Sequence, residues 1–247
     1  MTETVKTVEE GIERLFRLGQ KDPVPVCYHK AGPTDWFDVL ETGGKCIPLL
    51  KWRYCPPFHT LRENFRNGTV SLLGHPSTIK SSNFAPCTEP MTRLLCREFD
   101  LAEFFVDSKI VSVMGYGTEQ AANFLCRLEN GVMFNLEAAV TMPEDAHREG
   151  KHTLFTDNGM ISDLAADKMV ATDLVHVFRK DAAPTSYDDS DVNLFGLTRE
   201  EQDICYAAYA LTTGVESIEQ WIAQSEHLAH LVRAALETLH TGRKYQE

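Results

Sequence analysis

Residues 110–163 read IVSVMGYGTEQAANFLCRLENGVMFNLEAAVTMPEDAHREGKHTLFTDNGMISD, and their hydropathy changes sign with a period close to two. That spacing predicts strands over 110–116, 122–128, 132–141, 152–156 and 160–163, because successive strand side chains point to opposite faces. Turn signals separate them: Glu129-Asn130-Gly131, the polar run 143–149, and Asp157-Asn158-Gly159. Asn130-Gly131 and Asn158-Gly159 are hairpin dipeptides, since Asn and Gly tolerate the positive φ of tight turns. A run of consecutive hairpins predicts a mainly antiparallel sheet.

Working outward, the period lengthens. Met91, Leu94, Leu95, Leu101, Ala102 and Phe105 recur at helical spacing, so a helix is expected over 89–106. Thr7-Val8-Glu9-Glu10 has the form of a capping box, followed by Ile12, Leu15 and Leu18, which predicts a helix over 7–19. The stretch 20–45 is rich in Pro, Gly and Asp, and only a short helix about Trp36–Leu40 is expected there. Further strands are expected at 46–50, 69–73 and 170–178, and further helices at 58–67, 198–211 and 218–239. Residues 74–88 and 184–191 read as polar loops. Helices, then consecutive strands, then helices argue an α+β fold with an open, mostly antiparallel sheet covered by helices on one face. We expect a single domain over 1–247, with 1–45 as a helix and an irregular segment.

Composition narrows the function. The 247 residues carry a net charge of −12 with no Lys/Arg-rich stripe, which disfavours nucleic acid and anionic lipid as partners. No stretch approaches 18 consecutive apolar residues, and 1–16 is polar and charged, so no membrane and a cytoplasmic location are expected. Seven cysteines without a CxxC pair fit reduced thiols, and no metal is expected.

Three sets of residues could carry chemistry. Gly115-Tyr116-Gly117 follows a strand, as a dinucleotide fingerprint would. Its third glycine position is Gln120, however, and the next segment looks like a strand. No GxxxxGK[ST] or GxSxG occurs, so no cofactor-phosphate cradle and no nucleophilic hydrolysis are expected. Arg93, Arg97 and Asp100 fall on one helix face at i, i+4 and i+7; they form either a solvated charged face or a pair of guanidiniums able to grip a carboxylate or phosphate. Among the histidines, His59 follows Cys55-Pro56-Pro57-Phe58 and could face a cleft. His147 and His152 flank an acidic turn, and His227 and His230 share a helix; surface or packing roles are the plain reading of these four.

The order of short phrases resembles the glucose–fructose oxidoreductase / inositol dehydrogenase / rhizopine-catabolism (Gfo/Idh/MocA) family, on the portion that follows its nucleotide-binding domain. Thr7-Val8-Glu9-Glu10 matches the phrase opening a helix, Arg53-Tyr54-Cys55-Pro56 an Arg-aromatic-x-Pro phrase, and 64–68 a helix ending in an Asn-Gly turn. Asp100-Leu101, the sheet over 124–141, Asn158-Gly159-Met160-Ile161-Ser162 and the tail 225–244 follow in the family's order. The resemblance implies the family's C-terminal sheet domain without its Rossmann domain. It also implies a sugar or polyol oxidoreductase whose NAD(P) is held by a partner chain or a lost half, and a homodimer formed through the open sheet face. Catalytic roles would fall to Arg93, Arg97 and Asp100, and contact with a sugar or acid ligand to Arg53, Tyr54, His59 and His152. The family's Asp-x-Gly-x-His-x-x-Asp phrase is altered here, with Arg93, Leu95 and Arg97 at its first three marked positions. An arginine stays protonated and cannot replace a histidine as proton carrier. A non-catalytic binding or scaffold protein, and a cofactor-free enzyme using a remodelled cleft, therefore stand beside the oxidoreductase reading.

Overall fold

The computed structural model describes residues 7–32, 34–66, 73–163, 175–187 and 197–247. In chain order the elements are α1 (Val8–Leu18), β1 (Cys27–His29), β2 (Asp38–Thr42), β3 (Lys45–Leu49), a 3₁₀ turn (Lys51–Tyr54), α2 (Pro56–Arg66), β4 (Pro76–Pro86) and α3 (Met91–Val106). There follow β5 (Ile110–Gly117), β6 (Ala121–Leu128), β7 (Met133–Met142), β8 (Glu149–Thr156), β9 (Gly159–Ser162), β10 (Val175–Arg179) and β11 (Ala182–Tyr187). The described chain ends with α4 (Arg199–Thr212), α5 (Ile218–Thr241) and β12 (Tyr245–Gln246). The fold is α+β, as the pattern of periods implies. The predicted strand over 69–73 and the Asn67-Gly68 turn lie, but for Leu73, outside the described residues.

The chain, read above as one domain, divides by its contacts into two compact units: Met1–Cys55 with Ser190–His227, and Pro56–Asp189 with Leu228–Glu247. In the first unit β1, β2 and β3 form an antiparallel sheet, and α1 packs on α4. The short helix expected about Trp36–Leu40 is strand β2 instead. Asp38, Leu40 and Thr42 turn inward while Glu41 is exposed, a period of two that a five-residue window shows poorly. Thr7 caps α1 by accepting from the Glu10 amide. Thr198 and Glu201 close a full capping box on α4, which satisfies amides that the first turn leaves without partners.

The second unit is built on one sheet in the order β11-β10-β9-β8-β4-β7-β6-β5-β12. All its pairings are antiparallel except β4 with β7, which run parallel. The predicted hairpins β6–β7 and β8–β9 form at the two Asn-Gly turns. Two segments read as loops are strands. β11 covers 182–187, where a polar loop was expected to begin at 184. β4 lies in the middle of the sheet, inside the expected loop 74–88. Its inward positions are Ile79, Ser81, Asn83 and Ala85, all fully buried. The alternation is present, but two polar residues stand where a sheet interior usually shows apolar ones.

Phe124, Phe134, Leu136, Leu154 and Ile161 of β6 to β9 are buried, as are Leu94, Leu95, Phe99 and Phe105 of α3, and Phe99 packs edge-on against Phe124 and Phe134. The other sheet face leaves Phe84, Tyr116, Leu125, Met133 and Phe155 between 37% and 55% exposed.

Close packing also explains the Gly115-Tyr116-Gly117 phrase. A Cβ at Gly115 would stand 2.8 Å from Leu239, Phe124 and Thr238 side-chain atoms. The Gly115 amide donates to Thr238 Oγ1 at 2.8 Å. Gly117 has φ 130° at the end of β5, and β6 follows at once. These glycines let α5 and a hairpin approach the backbone, and no helix follows them. Gly115→Ala should therefore overpack this contact and cost about 1–3 kcal/mol. Urea unfolding would show this as a lower midpoint at unchanged slope; an unchanged midpoint would mean that α5 does not press on β5.

Candidate functional site

Inside the second unit the sequence brings charge into the core. Glu98 of α3, fully buried, faces the sheet. Its Oε2 accepts from Ser81 Oγ of β4 at 2.7 Å and meets His152 Nε2 of β8 at 2.9 Å. Ser81 and His152 are register partners across β4 and β8, which is why both reach the same carboxylate. On the other side of the ring, His152 Nδ1 lies 2.7 Å from Asp163 Oδ2, just beyond β9. The His152 amide donates to the same carboxylate through Oδ1. Asn83 Nδ2 donates to Ser81 Oγ at 2.7 Å and closes the polar set. Phe58 and Phe105 pack edge-on against the imidazole, with centroids at 4.8 and 5.8 Å.

With a carboxylate at each nitrogen, both ring nitrogens must carry hydrogens to satisfy the geometry, so the ring is an imidazolium. Burial alone would lower its pKa, but Asp163 and Glu98 together outweigh burial and hold it above the usual histidine range. Burial likewise works to raise the Glu98 value, and the opposing pull of His152 and Arg97, with the hydrogen bonds from His152 and Ser81, holds it below the usual carboxylate range.

The network reaches the surface through Arg97. Its Nε lies 3.5 Å from Glu98 Oε1, its guanidinium stands 5.2 Å from the Phe58 ring centroid, and its side chain is 13% exposed. Charges thus alternate along Arg97, Glu98, His152 and Asp163. Arg93, one turn earlier on α3, is half-buried. Asp100 is fully buried rather than part of a solvated face. Burial first, then the Asp100 charge, pushes the buried Cys96 thiol up, against the pull of Arg233. His59 is exposed on α2. Arg53 and Tyr54 belong to the first unit, where Tyr54 packs its ring against Trp221 at 6.4 Å and approaches Glu216 with its hydroxyl.

The structure therefore joins Arg97 to His152, and it does so through Glu98. His152 is 1% exposed with both nitrogens engaged, a place from which it supports other groups rather than touching a ligand. Sequence reading missed Glu98, Ser81, Asn83 and Asp163. The signal for Glu98 was a charged residue beside Phe99 on a helix whose apolar spacing placed it inward. For Ser81 and Asn83 it was a polar alternation in a segment taken for loop. Among the described residues, no group of three His, Cys, Asp or Glu side chains is arranged to hold a metal ion.

No family profile and no curated protein sequence matches this chain. Solved structures do. An oxidoreductase from Agrobacterium radiobacter, in complex with NAD+, L-tartaric acid and magnesium, superposes at TM-score 0.65 and 13% identity, covering 98% of this chain and 70% of its own. This chain shares its fold with that oxidoreductase. Levoglucosan dehydrogenase in complex with NADH and levoglucosan matches at TM-score 0.62 and 12% identity, over 80% of this chain and 64% of its own. An oxidoreductase domain protein from Kribbella flavida matches at 0.61 and 11%, over 80% and 65%. The chain spans only about two thirds of the length of these proteins. No helix among the described residues is long and apolar enough to cross a membrane.

Proposed function

We propose that this chain is the substrate-side portion of an NAD(P)-dependent oxidoreductase acting on a sugar or polyol, and that residues outside this sequence hold the dinucleotide. The observation that carries the reading is the shared fold, which covers most of this chain but only 64–70% of enzymes solved with NAD+ or NADH. The residues described here do not fit a dinucleotide. Gly115 is packed against Thr238 and Leu239, its amide is taken, and the strand runs into a hairpin instead of the helix N-terminus that would receive a pyrophosphate. No chemical step is therefore assigned through the cofactor. On this reading Arg93 and Arg97 line the ligand side of α3 with Asp100 beneath them. His59 remains a proposed ligand contact of this unit, Arg53 and Tyr54 remain proposed ligand contacts of the first unit, and His152 acts from behind Glu98.

The exposed row Phe84, Tyr116, Leu125, Met133 and Phe155 supports a homodimer through that sheet face. The altered proton-carrier position favours a second reading, a protein of this fold that binds its ligand without turning it over.

Calorimetry with NADH and NADPH, followed by thermal shifts with a panel of sugars, polyols and their acids, tests the proposal. Absence of saturable nucleotide binding, with a rise in Tm for one ligand class, is the expected result. Micromolar nucleotide binding by this chain alone would overturn the division of labour. No ligand-induced shift across the panel would overturn the substrate-side role.

A further inference from the structure

We infer that residues 143–148 form a strap that closes over the first turn of α3 and gates the ligand face bearing Arg93 and Arg97. The Arg148–Glu89 ion pair is its latch, and Gly150 is the point where it lifts. The inference rests on the substrate-side reading above and adds to it the regulation of access to that face.

Topology puts the strap there. In the sheet, β7 and β8 lie on either side of β4. Residues 143–148 join β7 to β8, so they cross the end of β4, where Pro86 stands opposite Met142 and Phe84 opposite Glu149. The chain leaves β4 for α3 at that same end, through residues 87–90. Arg93 belongs to the first turn of α3, and its amide donates to the Pro90 carbonyl at 3.0 Å. Residues 143–148 are all exposed except Ala146, which is half-buried. A connection that buries so little is drawn from the low-stability end of a fold, where local opening is easy.

Two opposing contacts set the balance between closed and open. Arg148 holds the strap down by pairing with the Glu89 carboxylate, and the two side chains are 30% and 13% exposed. A partly exposed ion pair is a weak latch. Asn83 works against it. Ser81 has one hydroxyl hydrogen and gives it to Glu98, so the Asn83 atom on Ser81 Oγ is the amide nitrogen. That turns Asn83 Oδ1 toward Gly150, its register partner on β8, where a Cβ would stand 2.1 Å away. The oxygen is buried, and no protein donor reaches it. A dry acceptor without a donor favours any state that admits water. Gly150 is exposed and lies just beyond the strap. Lifting there wets Asn83 Oδ1 and breaks the latch in one movement, and a side chain at 150 would keep the strap from closing.

The test reads access to the face with phenylglyoxal, a small dicarbonyl that modifies guanidiniums, applied to the free full chain. Modification of Arg93 and Arg97 is followed by peptide mass mapping in wild type, Glu89→Gln, Gly150→Ala and Asn83→Ala, each checked for a cooperative melt. Glu89→Gln should speed modification of both arginines about two- to fivefold, the weight of a partly exposed ion pair. In about 1 M salt the wild type should approach this variant while the variant responds little, because screening weakens the same pair. Gly150→Ala should raise both rates about tenfold or more, the effect of overpacking the closed contact. It should also broaden the amides of 143–150 in ¹⁵N relaxation dispersion, which reports μs–ms opening. Asn83→Ala should slow both rates, a sign that loosening of the core does not produce.

Equal rates in wild type and Glu89→Gln at both salt concentrations would overturn the latch. A Gly150→Ala protein with a lower Tm but unchanged rates would overturn lifting at Gly150. If that variant does not fold, Asn83→Ala decides, since faster modification there would overturn the role of the dry oxygen. None of these readouts needs a bound ligand, so their failure leaves the substrate-side reading intact. A sugar, polyol and acid panel that binds nothing would sink that reading and the gating role together, whatever the rates.

Discussion

His152→Ala is expected to lower the stability of the protein by about 3–5 kcal/mol, the range found when one member of a buried ion pair is removed. The substitution takes away the cation between Glu98 and Asp163, whose side chains are 0% and 10% exposed. It leaves two carboxylates facing a void, and the ring's contacts with Phe58 and Phe105 are lost as well. For a chain of this size each kcal/mol moves Tm by about 2–4 °C, so a fall on the order of 10 °C should appear in a thermal melt. His152→Gln should be milder, because an amide can still donate to one carboxylate. A Tm within a degree or two of wild type in His152→Ala would mean that water already reaches the network and that the buried charges are not held by one another.

The second large effect is on the alkaline side of the pH–stability curve. The folded-state pKa of His152 is raised above its unfolded value, so its share of stability is fully present below about pH 6.5 and is lost as pH rises through the folded value. Asp203, in the first unit, works in the same direction from a different cause. Burial pushes its carboxyl up to about 7, against the pull of Arg199 and Lys51. A carboxyl with a raised folded value favours folding while protonated, so its share is lost as pH rises from the ordinary value near 4 through about 7. Glu98 has the opposite sign. Its lowered value means that its share is lost only in acid, as pH falls below about 4.5. Urea midpoints measured from pH 4 to 10 should therefore be highest at about pH 4 to 4.5 and decline above that, first with Asp203 and then with His152. Asp203→Asn should remove the part of the decline between about pH 4 and 7 and leave the later part, which belongs to His152. A curve that stays flat from pH 6 to 10 would show that neither group is shifted as its surroundings imply.

Much of the second unit was written in short-range sequence. The hairpins β6–β7 and β8–β9 follow from period-two alternation joined at Asn130-Gly131 and Asn158-Gly159, where each turn is fixed by residues only a few positions apart. The helix α3 followed from the spacing of its apolar side chains, and α1 from its threonine cap. The candidate residue Arg97 was visible for a similar reason, since i, i+4 spacing places it beside Arg93 whatever the helix packs against.

Tertiary structure decided the rest. The place of β4 in mid-sheet depends on parallel pairing with β7, some 55 residues away, and on β8 on its other side. Its inward Ser81 and Asn83 are polar because Glu98 and His152 lie opposite, a fact absent from residues 76–86 themselves. Glu98, His152 and Asp163 come from three separate segments, and each taken alone reads as an ordinary charged residue. Only when the sheet closes under α3 and water is excluded do they have to neutralise one another. The sequence by itself determined the longer helices and most of the strands, because those choices rest on local period, caps and turns. Only the folded chain determined that one helix carboxylate, one strand imidazole and one loop carboxylate form a single charged unit, because that unit exists through burial and through contacts between residues far apart in the chain.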